Sequence, residues 1–354
     1  MLAKKSTIGI FSHNRHSFLL EYVSFLNDSG FGGTLIICDS SKKKCFDKFS
    51  EQFELVKKNF NTKLFNKEKK QSDTISLSMC DTVKVIVENI DSDYFILTAD
   101  DDLISPDSLE ICEKFLDKYT TYQTASGDVV KFNNKKKYKD LFSYSRGLRI
   151  KKIVDLSDAE LSARIQKFFD YFFHSMFSLT RKNTTKYFVP DNYMEIEFPH
   201  FKFDLNVMFP QIILGKFKRL NVPLVFRREH EDNLGDKIPY ISLKNALNSE
   251  TFNNDKKLFK MNMQKILTNI YHSKKKNIDQ EQINKNSNLI INNFLNMKTQ
   301  LNHKKNQNIF YKLIYVIKKK VLILLIFFSF TKYFKIMRKF WKNFSKLNIK
   351  QIKA

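Results

Sequence analysis

The stretch from Tyr94 to Leu109 constrains this chain more than any other. Tyr94 to Leu97 is a short apolar run rich in strand formers, the pattern of a strand buried in a parallel sheet. It leads into three consecutive carboxylates, Asp100, Asp101 and Asp102. Ser105 then stands as an N-cap, Pro106 as the first helical residue and Asp107 in the first turn, so a helix follows at once. Adjacent like charges repel, and the triplet is tolerable only if it opens to water or takes a cation between its members. In open α/β sheets, ligands bind just beyond the carboxyl ends of strands. Residues i and i+2 of an extended chain point to one side, which places Asp100 and Asp102 to face one ligand, and oxygen-only ligands suit magnesium or manganese. The same residues also read as a solvated acidic loop capping a helix.

Upstream, Thr7 to Ser12 reads as a first strand. Phe18, Leu19, Tyr22, Val23 and Leu26 then recur at helical spacing to about Asn27, and Gly30, Gly32 and Gly33 break the helix. Thr34 to Cys38 is a second strand ending in Asp39, Ser40 and Ser41. This opening predicts a parallel sheet with a right-handed crossover. It holds no GxGxxG and no GxxxxGK[ST], so neither a dinucleotide fingerprint nor a P-loop is supported. Cys45 to Phe60 predicts a helix, Lys63 to Phe65 a short strand, and Ser72 to Asn89 a helix with Ile75, Met79, Val83, Ile86 and Val87 on its apolar face. After the acidic triplet, Leu109, Ile111, Cys112, Phe115 and Leu116 continue the next helix. Gln123 to Phe132 predicts a strand, Asn133 to Tyr144 an exposed loop, Asp155 to Phe169 a helix and Phe173 to Thr180 a strand. Asn192 to Leu214 has a helical pattern interrupted by Pro199 and Pro210 and ended by Gly215, with a strand candidate at Phe217 to Asn221. Residues 240–303 are polar and helix-biased.

The formal charge of +24 is unevenly placed: no Asp or Glu follows Glu281, and residues 282–354 carry 16 Lys and Arg. Two thirds of the excess therefore sits in a tail, which argues against a nucleic-acid-binding body and for a cationic appendage. Within that tail Val321 to Phe330 is an apolar run of about ten residues, short of the roughly 20 needed to span a bilayer. Lys318 to Lys320 precede it. Lys332, Lys335, Arg338, Lys339 and Lys342 follow, interleaved with Tyr333, Phe334, Phe340 and Trp341. That pattern fits an interfacial helix on anionic lipid, or a terminal helix packed on the domain. The four cysteines, Cys38, Cys45, Cys80 and Cys112, lack zinc spacing and read as reduced thiols of a cytosolic protein. The first residues lack a signal-peptide core. His13, His16 and His174 have no spacing that points to a metal and read as structural.

Across residues 6–232 the order and spacing resemble a family 2-like nucleotide-sugar glycosyltransferase of the GT-A fold. Ile8 to Arg15 resembles that family's opening strand and its turn at Asn14 and Arg15, and Asp39 to Ser41 the acidic end of its second strand. Asp100 to Asp102 followed by Pro106 resembles its DxD motif. Phe203 to Val207, then Gly215, then Arg228, Glu229 and His230 resemble the later acidic helix start, the glycine behind it and a histidine after the last strand. The sequence departs at Phe203, where the family usually carries an acid, and the run of three aspartates leaves the DxD register open between Asp100/Asp102 and Asp101/Asp102.

The resemblance implies an α/β, GT-A type fold with a mostly parallel central sheet flanked by helices, followed by a helical basic C-terminal extension. The expected regions are 1–235 for the transferase domain, 236–303 for the helical extension and 304–354 for a membrane-associating tail. It implies a Mn2+ or Mg2+ cofactor with Asp102, Asp100 and His230 as its metal residues. Asp100 touches the ribose or the metal's water shell, and Asp39 accepts a hydrogen bond from the base in a pocket lined by Ser12 and Arg15. Asp204 is the expected general base, with Glu197 in reserve, giving direct displacement with inversion. Arg227 and Arg228 are candidates for the diphosphate. The implied partners are a nucleotide-sugar donor and a glycan or lipid-linked glycan acceptor of a bacterial surface polymer. The expected location is the cytoplasmic face of the inner membrane, held peripherally by the tail, with no nucleic acid. The alternative is a catalytically inactive membrane-bound scaffold of the same fold.

Overall fold

The computed structural model describes residues 1–132, 142–144, 155–170, 175–228, 230, 250–273, 279–295 and 332–351. Three βα units open the chain: β1 Ser6–Ser12, α1 His16–Ser29, β2 Thr34–Asp39, α2 Lys43–Val56, β3 Asn61–Asn66 and α3 Ile75–Glu88. Every residue of β1 is buried, as its unbroken apolar run requires. Gly9 at its centre is obligatory for packing: a Cβ there would lie 2.6 Å from Ile86 of α3 and from the Phe95 ring. Gly30 ends α1 in the left-handed conformation at φ 76°, which glycine adopts without steric cost. Then come β4 Tyr94–Ala99, β5 Asp102–Ile104 and α4 Pro106–Lys118, whose N-cap Ser105 accepts from the Ser108 amide at 3.3 Å.

The rest comprises β6 Tyr122–Phe132, β7 Phe142–Tyr144, β8 Asp155–Leu156, α5 Leu161–Asp170, β9 Leu179–Arg181 and the short α6 Lys182–Thr185. A 3-10 turn at Tyr193–Glu195 and a π-turn at His200–Asp204 precede α7 Leu205–Ile213 and β10 Lys216–Arg228. Helices α8 Asn253–Ser273, α9 Gln280–Leu295 and α10 Lys332–Gln351 complete the described elements.

Strand order is β3-β2-β1-β4-β9-β6-β10-β5, with β7 beside β6 and β8 beside β10. The six long strands run parallel, and the strands of two or three residues run against them. The chain leaves β1 toward β2 and β3 and returns on the other side at β4, so the carboxyl ends of β1 and β4 form the switch-point crevice.

Several boundaries differ from the sequence expectation. The helix expected over Cys45 to Phe60 spans Lys43–Val56, because Lys57 is extended at ψ 137°. Within the expected helix Asp155 to Phe169, Asp155 and Leu156 instead pair with β10, held by Lys218 on Asp155, and α5 starts only at Leu161. Phe142–Tyr144, expected in an exposed loop, pairs with β6; residues 133–141 lie outside the described residues. Of the strand expected over Phe173 to Thr180, the described part is extended only at Leu179–Arg181, and residues 171–174, including His174, lie outside the description. Between Asn192 and Leu214 the expected helix is broken up: the residue before Pro199 is disfavoured in helical geometry, and α-helix proper begins at Leu205.

The described part of the tail packs on the domain. The Phe340 ring stacks on Phe226 of β10 with centroids 3.5 Å apart, and Phe344 meets Phe132 at 5.0 Å. Lys339 pairs with Asp107 at 2.8 Å and the Tyr333 hydroxyl donates to Asp128 at 3.1 Å. Tyr333 and Phe340, expected to face lipid, thus face the protein, because α10 lays its apolar side on β10 and α1. Lys332, Lys335, Lys339 and Lys342 remain on its exposed side. The apolar run 321–330 lies outside the described residues. Among the described residues no helix is long and apolar enough to cross a membrane.

Candidate functional site

The aspartate triplet lies where β4 ends and β5 begins. Asp102 pairs across with Arg227 of β10, and the Thr98 hydroxyl donates to the Asp102 carbonyl at 2.9 Å, closing the turn. All three aspartates are buried, so the repulsion expected from the sequence is not relieved by open water. Neighbouring donors take that role. Ser12 at the end of β1 donates to Asp100 at 2.7 Å. Arg15, entering α1, reaches Asp100 at 3.2 Å and Asp101 at 2.9 Å. His230, just past β10, meets the same Asp101 oxygen at 2.8 Å. Ser12, Arg15, Asp100 and His230, separated widely in sequence, therefore converge, with Asp101, one of the two register candidates, joining Arg15 to His230.

Compensation is incomplete. Burial, and then the charge of Asp101, push the Asp100 carboxyl up to about 7, against the opposing pull of Arg15 and Ser12. Burial and Asp101 likewise raise Asp102, with Arg227 offsetting part of the effect. The Arg227 guanidinium is 3.9 Å from Asp102 Oδ1, and its side chain is 47 % exposed. Asp102 Oδ1 is buried without a hydrogen-bond partner. An orphaned carboxylate oxygen beside a second raised carboxyl is a site short of positive charge, and a divalent cation fits it. Among the described residues no three His, Cys, Asp or Glu side chains form a complete cage. A cation held at Asp102 would need its remaining ligands from outside this side-chain set. His230, expected as a metal ligand, lies on Asp101.

Asp39, at the end of β2, is fully buried with both oxygens engaged. His16 Nε2 meets Oδ2 at 2.8 Å and the Ser41 hydroxyl donates to Oδ1 at 2.8 Å. The carboxylate implied to face a base is covered by His16, which the sequence reading left structural. Asn14 adopts φ 56° in the same turn, and its amide donates to the Ser41 hydroxyl at 2.7 Å. No sequence signal joins His16 to Asp39; only parallel pairing of β1 with β2 brings them together.

Asp204 ends the π-turn, half-buried. Its neighbour Phe203 meets Phe11 edge-on at 5.6 Å, which carries the turn to the carboxyl end of β1. Phe203, standing where the family usually has an acid, is a packing residue. Glu197 is exposed, and its amide is capped by Asp255 at 3.1 Å. Arg228, named with Arg227 for the diphosphate, is instead 1 % exposed and bidentate to Glu21 at 2.7 and 2.8 Å. Alternation along β10 sends Arg227 toward the aspartates and Arg228 into the core.

No family model matches the chain, and no curated protein matches it. Among solved structures, S. aureus TarS residues 1–349 is similar at TM-score 0.50 and 10 % identity, covering 99 % of this chain and 91 % of that one. A second S. aureus TarS structure is similar at TM-score 0.45 and 11 % identity, over 75 % of this chain and 42 % of that one. The first likeness establishes the fold: an α/β, GT-A-like architecture with a mostly parallel central sheet flanked by helices, as in TarS. That is the fold implied by the sequence resemblance.

Proposed function

We propose that the chain is a metal-dependent glycosyltransferase that moves a sugar from a nucleoside-diphosphate donor to a glycan acceptor, with inversion. The observation that carries this reading is the buried aspartate triplet at the switch-point crevice, with Asp102 Oδ1 unpartnered beside the exposed Arg227. Asp102 and Asp100 would hold Mn2+ or Mg2+, which when bound would supply Lewis-acid stabilisation of a departing diphosphate. Arg227 lies beside that position and offers planar, paired donors to phosphate oxygens. Arg15 and Ser12 fix Asp100, while Arg15 and His230 fix Asp101, so the carboxylates keep their geometry before substrate arrives. Asp204 takes the acceptor hydroxyl proton as general base.

The reading is tested by thermal unfolding with a panel of nucleoside diphosphates and nucleotide-sugars, each with and without manganese. A ligand that binds only the folded state raises apparent stability by mass action. A metal-dependent rise with one nucleotide supports the reading; no rise from folded protein favours the inactive scaffold. Asp204→Asn is expected to cut turnover by ~10²–10⁴-fold, the usual worth of a general base, and to leave donor binding unchanged. Collapse of donor binding in that variant removes Asp204 from the base role.

The acceptor is proposed to be lipid-linked, with the protein peripheral on the anionic inner face of the membrane. Supporting this are the exposed lysine side of α10 and the lysine-flanked apolar run before it. Each lysine near an anionic surface contributes about 1 kcal/mol. Reversing Lys332 and Lys335 to glutamate is therefore expected to lower binding to phosphatidylserine vesicles by more than about tenfold. Unchanged sedimentation with such vesicles sinks the attachment.

A further inference from the structure

We infer that His16, oriented by Asp39, is the residue that reads the nucleobase of the donor, an assignment that rests on the nucleotide-sugar reading above. Asp39 is 0 % exposed with both carboxylate oxygens engaged, while the His16 side chain is 21 % exposed. Any ligand at this end of β2 therefore meets the imidazole and not the acid. A carboxylate offers only acceptors, so Nε2 carries the proton in the contact with Asp39. On the neutral ring Nδ1 is left as an acceptor, and it has no partner among the described residues. The ring is held in place on its other side, stacked at 16° on the buried Phe49 with centroids 5.0 Å apart. The orientation of the ring, with Nδ1 unbonded, is thus set before any ligand arrives.

The position matches a base. Ser12 is paired in register with Asp39, and its hydroxyl binds Asp100. From the end of β4, which carries the triplet, to the end of β2 is two strand spacings, roughly 10 Å. A ribose bridges such a gap between a diphosphate at Asp102 and a base at His16. Arg15, the residue before His16, already touches Asp100 and Asp101. One turn of chain therefore serves both ends of the same ligand. The recognised group is a nucleobase N–H donated to His16 Nδ1.

The test is calorimetric titration of the full chain with manganese, using UDP, CDP, GDP, ADP and inorganic pyrophosphate as probes. His16→Ala is expected to weaken the preferred nucleoside diphosphate by at least tenfold, to flatten the preference among bases and to leave pyrophosphate binding unchanged. His16→Lys keeps a donor for Asp39 but has no acceptor, so it reads the same result if the alanine variant does not fold. Unchanged nucleotide affinity and preference in a folded variant overturns the assignment. So does an equal loss of pyrophosphate binding, because His16 then acts on the whole site. Absence of nucleotide binding by the unsubstituted protein, with pyrophosphate bound or not, overturns the nucleotide-sugar reading itself and is thereby distinguishable.

Discussion

Replacing Asp102 by asparagine is expected to lower metal-supported release of nucleotide from a nucleotide-sugar by ~10²–10³-fold, the loss seen when a preorganised electrostatic group is removed from a reacting centre. Asparagine keeps the side chain's size and its place at the start of β5, where Thr98 and the Arg227 pairing hold the backbone. What it removes is the charge on an oxygen that accepts no hydrogen bond and has Arg227 3.9 Å away. Turnover close to that of the unsubstituted protein takes Asp102 out of the metal site. The same site carries a stability signature in metal-free protein. Burial pushes the Asp100 carboxyl from the ordinary carboxylate value of 3.8, which it has in the unfolded chain, up to about 7 in the fold. The folded state thus binds this proton more tightly than the unfolded state does. Stability is fullest below pH ~4, falls as pH rises through that window, and levels off above about 7. Asp100→Asn is expected to lessen this slope, the raised Asp102 carboxyl supplying the remainder, as read from urea unfolding at pH 5 and pH 8 without metal. A slope of the same size in the variant assigns the effect to other groups. Crowding of like charges at Asp100 to Asp102 is the kind of strain stored where function needs it.

Glu21→Gln is expected to destabilise the fold by about 3–5 kcal/mol, the range for stripping one partner from a buried ion pair. Arg228 is bidentate to Glu21 and lies over the rings of Phe18, Phe132 and Phe344 at 4.6, 5.5 and 5.6 Å. The pair ties α1, the end of β10 and α10 into one core. Glutamine leaves the guanidinium buried with its charge unmatched, and no water reaches a side chain that is 1 % exposed. Replacing both partners by apolar residues of similar volume, Glu21→Leu with Arg228→Met, is expected to recover most of the loss, since a well-packed apolar pair is often as stable. Urea unfolding of the single and double variants checks both statements. A loss below about 1 kcal/mol for Glu21→Gln, typical of exposed pairs, makes the contact a surface bridge in all but position. Because Arg227 and His230 flank Arg228, loosening this anchor is also expected to reduce nucleotide binding.

Much of the sheet was legible because its strands carry their own signal. Tyr94 to Leu97 and Thr34 to Cys38 are apolar on both faces, and Ser105 with Pro106 marks a helix start that needs no tertiary context. Strand β5 was not legible, since Asp102–Ile104 is a strand only because β10 lies beside it. Strand β8 was read as helix for the same reason: Asp155 and Leu156 are extended by pairing. The aromatic tail pattern fitted lipid and protein equally well, and the Phe226 ring decided for protein over the described turns of α10.

The sequence by itself determined the parallel opening units and the placing of three aspartates at the carboxyl end of a buried strand. These follow from local apolar runs and caps, which neighbouring residues dictate, whereas the strand order that makes the ends of β1 and β4 a crevice is tertiary. Only the tertiary structure decided which acid is free and which is matched. Asp101 meets His230 across 129 positions, and Glu21 meets Arg228 across 207. The value of each charge is set by its burial and by partners brought from far along the chain. That is why Asp102 keeps one oxygen without a hydrogen bond, Asp39 is sealed by His16, and Arg228 belongs to the core while its neighbour Arg227 faces the site.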